Sequence, residues 1–245
     1  MQETSVDRRT GGFGRRGMRA FIALLALALL AFGTAAGAEE AAAIAPAAAD
    51  APAASGETTQ AEADSPVPVI EAFHAGLLDI MKHAKELGFE GRIEKLAPLM
   101  SRTFDLGFMA SKTVGRHWQE LSPEDQKRWA ETFARFTTAN YAGRFTGFKG
   151  EQFVTLGVED AARDTRVVLT KIEVPGDEDV QLNYRVLRVD GAWRVIDVYL
   201  NGTVSELALR RSEYSTALKR EGFEQLVASV ENKIADLKSK GRVDG

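Results

Sequence analysis

The chain has 245 residues, with 31 Lys and Arg set against 35 Asp and Glu, three His and no Cys. The acidic balance excludes non-specific nucleic-acid binding, which depends on neutralising phosphates with Lys and Arg. The missing Cys excludes disulfides, thiolate catalysis and Cys-ligated metal.

The first segment is basic, then apolar, then small. Arg8, Arg9, Arg15, Arg16 and Arg19 precede an apolar run from Ala20 to Phe32, and Ala36-Gly37-Ala38 follows. That order predicts a secretory signal peptide over residues 1–38, cleaved near Ala38. The run is too short to span a bilayer comfortably, since a spanning helix needs about 20 apolar residues; cleavage, with no stable membrane insertion afterwards, is expected over the alternative of an uncleaved N-terminal anchor. Removing residues 1–38 takes five Arg and two acids from the totals and leaves 26 basic and 33 acidic residues, a net charge of −7. Residues 39–65 are Ala-rich with Pro46 and Pro52. Such a composition buries too little apolar surface to offset chain entropy, and it reads as a disordered linker. Residues 66–240 are then expected to form a single domain.

Within that domain Ile70, Phe73, Leu77, Met81, Ala84 and Leu87 recur at helical spacing, and Gly88 is a suitable stop. Ile93, Leu96, Leu99 and Phe104 mark a second helix, and Asp105 is placed to cap a third that ends at Gly115. Ser122-Pro123-Glu124-Asp125 is the clearest helix start: a capping hydroxyl, a proline at the first position, and acids on the positive end of the dipole. This helix carries Trp129, Phe133, Phe136, Tyr141 and Phe145. The period then changes. Residues 151–159, 164–174, 179–189 and 192–201 are rich in Val, Ile, Tyr and Thr and read as strands. Pro175–Asp179 and Asp190–Ala192 join the last three as hairpins. After Gly202 helical spacing returns, first through Val204, Leu207 and Leu218, then through Phe223, Leu226, Val230, Ile234 and Leu237. Helices, four sequential strands and more helices predict an α+β domain with a four-stranded antiparallel sheet.

Strict alternation in the fourth strand puts Trp193, Val195 and Tyr199 on one face and Ile196, Val198 and Leu200 on the other. Apolar residues on both faces call for a second helical layer or an apolar ligand, and periodicity does not separate the two. Asp197 interrupts this strand. A carboxylate facing an apolar cavity is how a general base is built, with Tyr184 or Tyr199 as donor to a developing oxyanion. Alternatively Asp197 braces the turn at Gly202 and the helix start at Ser205, where the dipole favours negative charge. His74, His83 and His117 lack the spacing of a metal site and read as solvated or locally hydrogen-bonded. No nucleophile elbow, phosphate-binding glycine loop or zinc motif is found. Neither metal nor cofactor is expected.

Several spaced landmarks resemble one family. Phe104-Asp105, Met109, Gly115 with Trp118, Ser122-Pro123-Glu124 and Tyr141-Ala142, followed by the tail from Trp193 to Tyr214, are similar to the MlaC-like, or toluene-tolerance, family of periplasmic ABC-transport auxiliary proteins. The segments Gly88–Arg92, Tyr141–Phe148 and Asn201–Tyr214 look like its hopanoid-biosynthesis-associated branch, HpnM. One departure is visible: the usual Gly-Val-Ser ending has an extra residue here, Gly202-Thr203-Val204-Ser205. The resemblance implies a periplasmic, non-enzymatic lipid carrier, NTF2-like in general appearance, with an apolar cavity between sheet and helices. It implies a hopanoid or phospholipid ligand, and an inner-membrane transporter and an outer-membrane complex as partners. Candidate cavity residues are Phe104, Met109, Trp118, Phe133, Tyr141, Phe145, Tyr184, Val195 and Tyr199. Two other classes compete: an isomerase- or dehydratase-like enzyme using Asp197, and a periplasmic adaptor without a cavity.

Overall fold

The computed structural model describes residues 64–243. The expected signal peptide lies outside these residues, as does the expected linker except for its last two residues.

Helix α1 (Val67–Lys82) buries Ile70, Phe73, His74, Leu77, Ile80 and Met81 along one stripe. It stops earlier than its apolar period suggests, at His83, whose N–H donates to the Asp79 carbonyl. Helix α2 (Ala84–Thr103) follows at once and is itself broken at Gly88, which takes φ +59° and ψ −172°. Only glycine adopts that backbone without strain. A buried arginine repairs the break. Arg92 donates from Nη1 to the Ala84 carbonyl at 2.9 Å and from Nε to the Ala142 carbonyl at 2.9 Å, so one guanidinium serves acceptors on two helices.

Helix α3 (Leu106–Thr113) starts on Asp105, whose Oδ1 accepts from the Phe108 N–H at 2.8 Å. A short 3-10 helix (Gly115–Glu120) leads to α4 (Pro123–Arg144), capped by Ser122 through the Asp125 N–H at 3.1 Å. Helix α5 (Glu206–Glu221) and helix α6 (Phe223–Val243) close the chain, separated by Gly222 at φ +85°. Helices α4 and α6 pack together and are tied by Arg128–Glu224 and Arg135–Glu231. These exposed pairs add little stability beside the buried contacts of Trp129, Phe133, Leu226 and Val230.

The sheet has five antiparallel strands in sequential order rather than four: β1 (Gln152–Ala161), β2 (Thr165–Glu173), β3 (Val180–Val189), β4 (Ala192–Leu200) and β5 (Val204–Ser205). The extra strand arises because Asn201 and Gly202 both take positive φ, +50° and +76°, and turn the chain back. Ser205 then pairs with Tyr199 and Val204 with Leu200. Two residues are too few to show an alternating pattern, but the Asn-Gly pair is a hairpin signal. At the β3–β4 connection Asp190 and Gly191 also take positive φ, +49° and +79°.

A β-bulge decides which side chains share a face. Arg185 pairs with Asp197 but Val186 pairs with Val195, so Ile196 is an extra residue in β4. The alternation reverses across it. Val195, Val198 and Leu200 share the face of Leu182, Tyr184 and Val186, whereas Asp197 and Tyr199 share the opposite face with Arg185 and Asn183. The expectation that Val195 and Tyr199 lie together is therefore corrected: a bulge inserts one residue and shifts the period-two register. A second bulge, between Thr155 and Gly157, leaves Leu156 exposed.

The core sits between α1, α4 and the Tyr184 face of the sheet. Phe73, Val168, Tyr184, Val186 and Val195 are each at most 1% exposed there. The opposite face is only half-covered, with Val167, Leu169 and Leu187 partly open.

Candidate functional site

An apolar groove of about 690 Å³ lies between α2, the start of α3, α4, the ends of β3 and β4, and α6. Its walls include Ile93 and Ala97 of α2, Ala130 and Ala134 of α4, and Ile234 of α6, with Phe104 at the base of α3. Charge is confined to a few members, among them Glu131, Arg135 and Arg194, and Arg135 is paired with Glu231. The groove exists because α4 presents small residues, Ala130, Ala134 and Thr138, at successive i, i+4 positions. Ala97 and Ser101 do the same on α2. Small side chains keep two packed helices from filling the space between them.

Phe104 connects this groove to the interior. It takes an extended backbone (φ −105°, ψ 144°) and forms a single parallel bridge to Val195, with the Asp105 N–H donating to the Val195 carbonyl at 2.9 Å. Its ring meets Phe73 edge-on at 5.1 Å and Tyr141 at 6.1 Å. Tyr141 continues to Phe145 at 5.7 Å, and Phe73 continues to Tyr184 at 6.3 Å. One aromatic cluster thus joins α1, the end of α2, α4 and β3. Five of the candidate residues, Phe104, Tyr141, Phe145, Tyr184 and Val195, come together in or beside it.

The other four are dispersed. Phe133 packs on Trp129 at 6.5 Å in a separate cluster that includes Tyr214. Met109 is buried in α3. Trp118 is half-buried on the 3-10 helix, where its carbonyl accepts from Gln126 Nε2 at 2.8 Å. Tyr199 is half-buried on the other sheet face. The groove residues Ile93, Ala97, Ala130, Ala134 and Ile234 were not singled out from the sequence. The signal that could have found them is the i, i+4 spacing of small residues rather than any aromatic.

His74 is neither solvated nor locally bonded. It is 4% exposed, its Nε2 lies 3.0 Å from the Tyr184 hydroxyl, and its ring stacks on Phe153 at 4.2 Å. Burial lowers its pKa from 6.5 to about 4, because the charged imidazolium loses its hydration. The same burial pushes the Tyr184 and Tyr141 hydroxyls above their ordinary range. His83 bonds to the Asp79 carbonyl and His117 to Glu120. Among the described residues no group of three His, Asp or Glu side chains could hold a metal ion.

Asp197 is 6% exposed and its carboxylate is fully engaged. Oδ1 accepts from the Val198 N–H at 2.8 Å and the Leu207 N–H at 3.0 Å, while Oδ2 accepts from the Ser205 hydroxyl at 2.6 Å. Ser205 in turn accepts from the Ala208 N–H at 2.9 Å, as the N-cap of α5. Burial raises the Asp197 pKa, and the three donors pull it back. Asp197 and Tyr184 lie on opposite faces of the sheet, so the two cannot address one reacting atom.

Helices packed on an antiparallel sheet, with an apolar groove whose wall includes one ring of a buried aromatic cluster, define an α+β protein with an apolar recess. The profile of the MlaC protein family matches residues 71–232, and the chain belongs to that family. The fold is similar to that of a solved phospholipid-binding protein from Ralstonia solanacearum, in complex with a phospholipid, at a TM-score of 0.61 and 22% identity. That alignment covers 71% of this chain and 98% of the Ralstonia chain. Comparison with curated proteins gives no match.

Proposed function

We propose that the protein is an exported, periplasmic lipid carrier that holds the apolar part of a hopanoid or phospholipid and passes it between membrane complexes of an ABC-type transport system. The observation that carries this reading is the groove of about 690 Å³ and the place of Phe104 in both its wall and the buried aromatic cluster. Membership of the MlaC family and the fold shared with a phospholipid-binding protein support it. Sites of roughly 300–1,000 Å³ enclose small ligands, so the groove as it stands accepts part of a lipid. A larger share enters if Phe104 and Tyr141 swing aside and open the cluster. Affinity then comes from apolar area removed from water, at about 25 cal/mol per Å². No proton transfer is required, and the engaged carboxylate of Asp197 favours this reading over an enzyme.

The test is native mass spectrometry of the gently purified protein, with extraction and identification of what it carries. A lipid at one equivalent is expected in the unaltered chain. Ala134→Trp, which fills the groove from α4, is expected to abolish it while circular dichroism stays unchanged. Lipid-free protein from the native host, or lipid retained in Ala134→Trp, overturns the assignment to this groove.

A further inference from the structure

A second groove, of about 670 Å³, lies between the end of α3, the 3-10 helix and α5, and its character is the opposite of the first. Arg116 lines it from the 3-10 helix, and Arg211, Lys219 and Arg220 line it from one face of α5. All four are exposed. The floor between them is low, because α5 places Ala208, Ser212 and Ser215 there. Gly115 takes φ +59° and Arg211 lies across it, so close that a Cβ at Gly115 would stand 3.2 Å from Arg211 Nε.

These charges are uncompensated. Elsewhere Arg128 is matched by Glu224, Arg135 by Glu231, Lys171 by Glu173 and Asp179, and Lys238 by Glu90. Arg116, Arg211, Lys219 and Arg220 have no ion-pair partner among the described residues. Of the acids near the groove, Glu120 is held by His117 at 2.7 Å, and Glu221, which follows Arg220 in sequence, forms no ion pair with it. A cluster of like charges on an acidic chain repels itself and creates a local field that an anion relieves.

We propose that this basic groove docks the protein onto the phosphate-bearing headgroups of an anionic phospholipid surface. Spacing points to the occupant. Arg211 and Arg220 are nine positions apart on α5, about 13.5 Å at 1.5 Å per residue, so the row of charges is longer than a single phosphate. They match several headgroups side by side. The charges are exposed and lie along a rim, whereas a site for one free phosphate draws converging donors inward. The acidic remainder of the chain is repelled by the same surface, so contact is confined to this face. Helix α3 connects the two grooves: Leu106 and Gly107 line the apolar one and Val114, just past the other end, lines the basic one. The inference rests on the basic groove alone and holds whichever lipid occupies the other.

The experiment is co-sedimentation of the full exported chain with vesicles of phosphatidylcholine, with and without phosphatidylglycerol. Binding is expected only with phosphatidylglycerol, and to fade as salt is raised. The triple variant Arg211→Gln, Lys219→Gln, Arg220→Gln is expected to bind about a hundredfold more weakly, at about fivefold per charge. A control with the same change in net charge, Lys85→Gln, Lys95→Gln, Lys127→Gln, is expected to bind as the unaltered chain does. Equal binding to both vesicle types, or equal loss in the two triple variants, overturns the proposal. So does displacement by millimolar inorganic phosphate at constant ionic strength, which would mark a site for the soluble anion.

Discussion

The imidazole of His74 and the hydroxyl of Tyr184 meet at 3.0 Å inside the apolar layer between α1 and the sheet. The pair makes a buried polar contact among rings and aliphatic side chains, Phe73, Phe153, Val168 and Val198 among them, and it makes the fold sensitive to acid. The folded-state pKa of His74 is about 4 against 6.5 when unfolded. Between those values the unfolded chain binds a proton that the folded chain does not, so stability falls as pH drops from 6.5 to 4 and levels off below. The full effect is about 3 kcal/mol. Urea unfolding of the unaltered chain and of His74→Gln across this range checks it. The slope is expected to flatten in the variant.

Asp197 and α5 are joined by hydrogen bonds that a neutral amide largely preserves. Asp197→Asn keeps an acceptor for the Val198 and Leu207 N–H groups and is expected to cost under about 1 kcal/mol. Asp197→Ala leaves the buried Val198 N–H and the part-buried Leu207 N–H unpaired, a loss of about 1–3 kcal/mol. Chemical denaturation of the two variants separates them. A larger cost for Asn than for Ala would sink this account of the turn.

Arg92 serves acceptors of two helices at the Gly88 break, and removing its guanidinium should act at both. Arg92→Met retains most of the stem but strands the Ala84 and Ala142 carbonyls, with an expected loss of about 1–3 kcal/mol per carbonyl. Hydrogen exchange should show the loss concentrated at the start of α2 and the end of α4.

Phe104→Ala removes the ring shared by the groove and the aromatic cluster. Truncating a buried Phe costs about 3–5 kcal/mol. The milder Phe104→Leu is expected to keep the fold and thin the wall between the two, so thermal melting should drop modestly while the amount of co-purified lipid is retained or rises.

The helix starts were legible wherever a side chain does the capping. Ser122 before Pro123 and Asp105 before Leu106 both act as the sequence indicates, because an N-cap is a local contact written within four residues. The Asp190-Gly191 turn was legible for the same reason. The stop at His83 was not, since the apolar period runs on through Ala84 and Leu87, while the helix ends where the His83 N–H and ring both meet the Asp79 carbonyl. The strand Val204–Ser205 was missed because its length hides its period, although Asn201-Gly202 announced the turn. The groove was hardest to foresee. Aromatic residues attract attention as pocket walls, yet most of those in this chain fill the core, and the open space is made by Ala97, Ala130 and Ala134.

The bulge at Ile196 has a consequence for how this chain tolerates change in length. β4 carries its apolar residues in two phases, one ending at Val195 and one resuming at Val198, and Ile196 is the beat that separates them. Deleting that single residue would set Val195 directly before Asp197 and make the alternation regular, with Val195, Val198 and Leu200 still on the face of Tyr184 and Asp197 and Tyr199 still on the other. The strand therefore carries one slack residue, and its loss is absorbed where it occurs. Loss of a single residue further along, at Val198 or Tyr199, has no such slack beside it and turns the residues beyond it over.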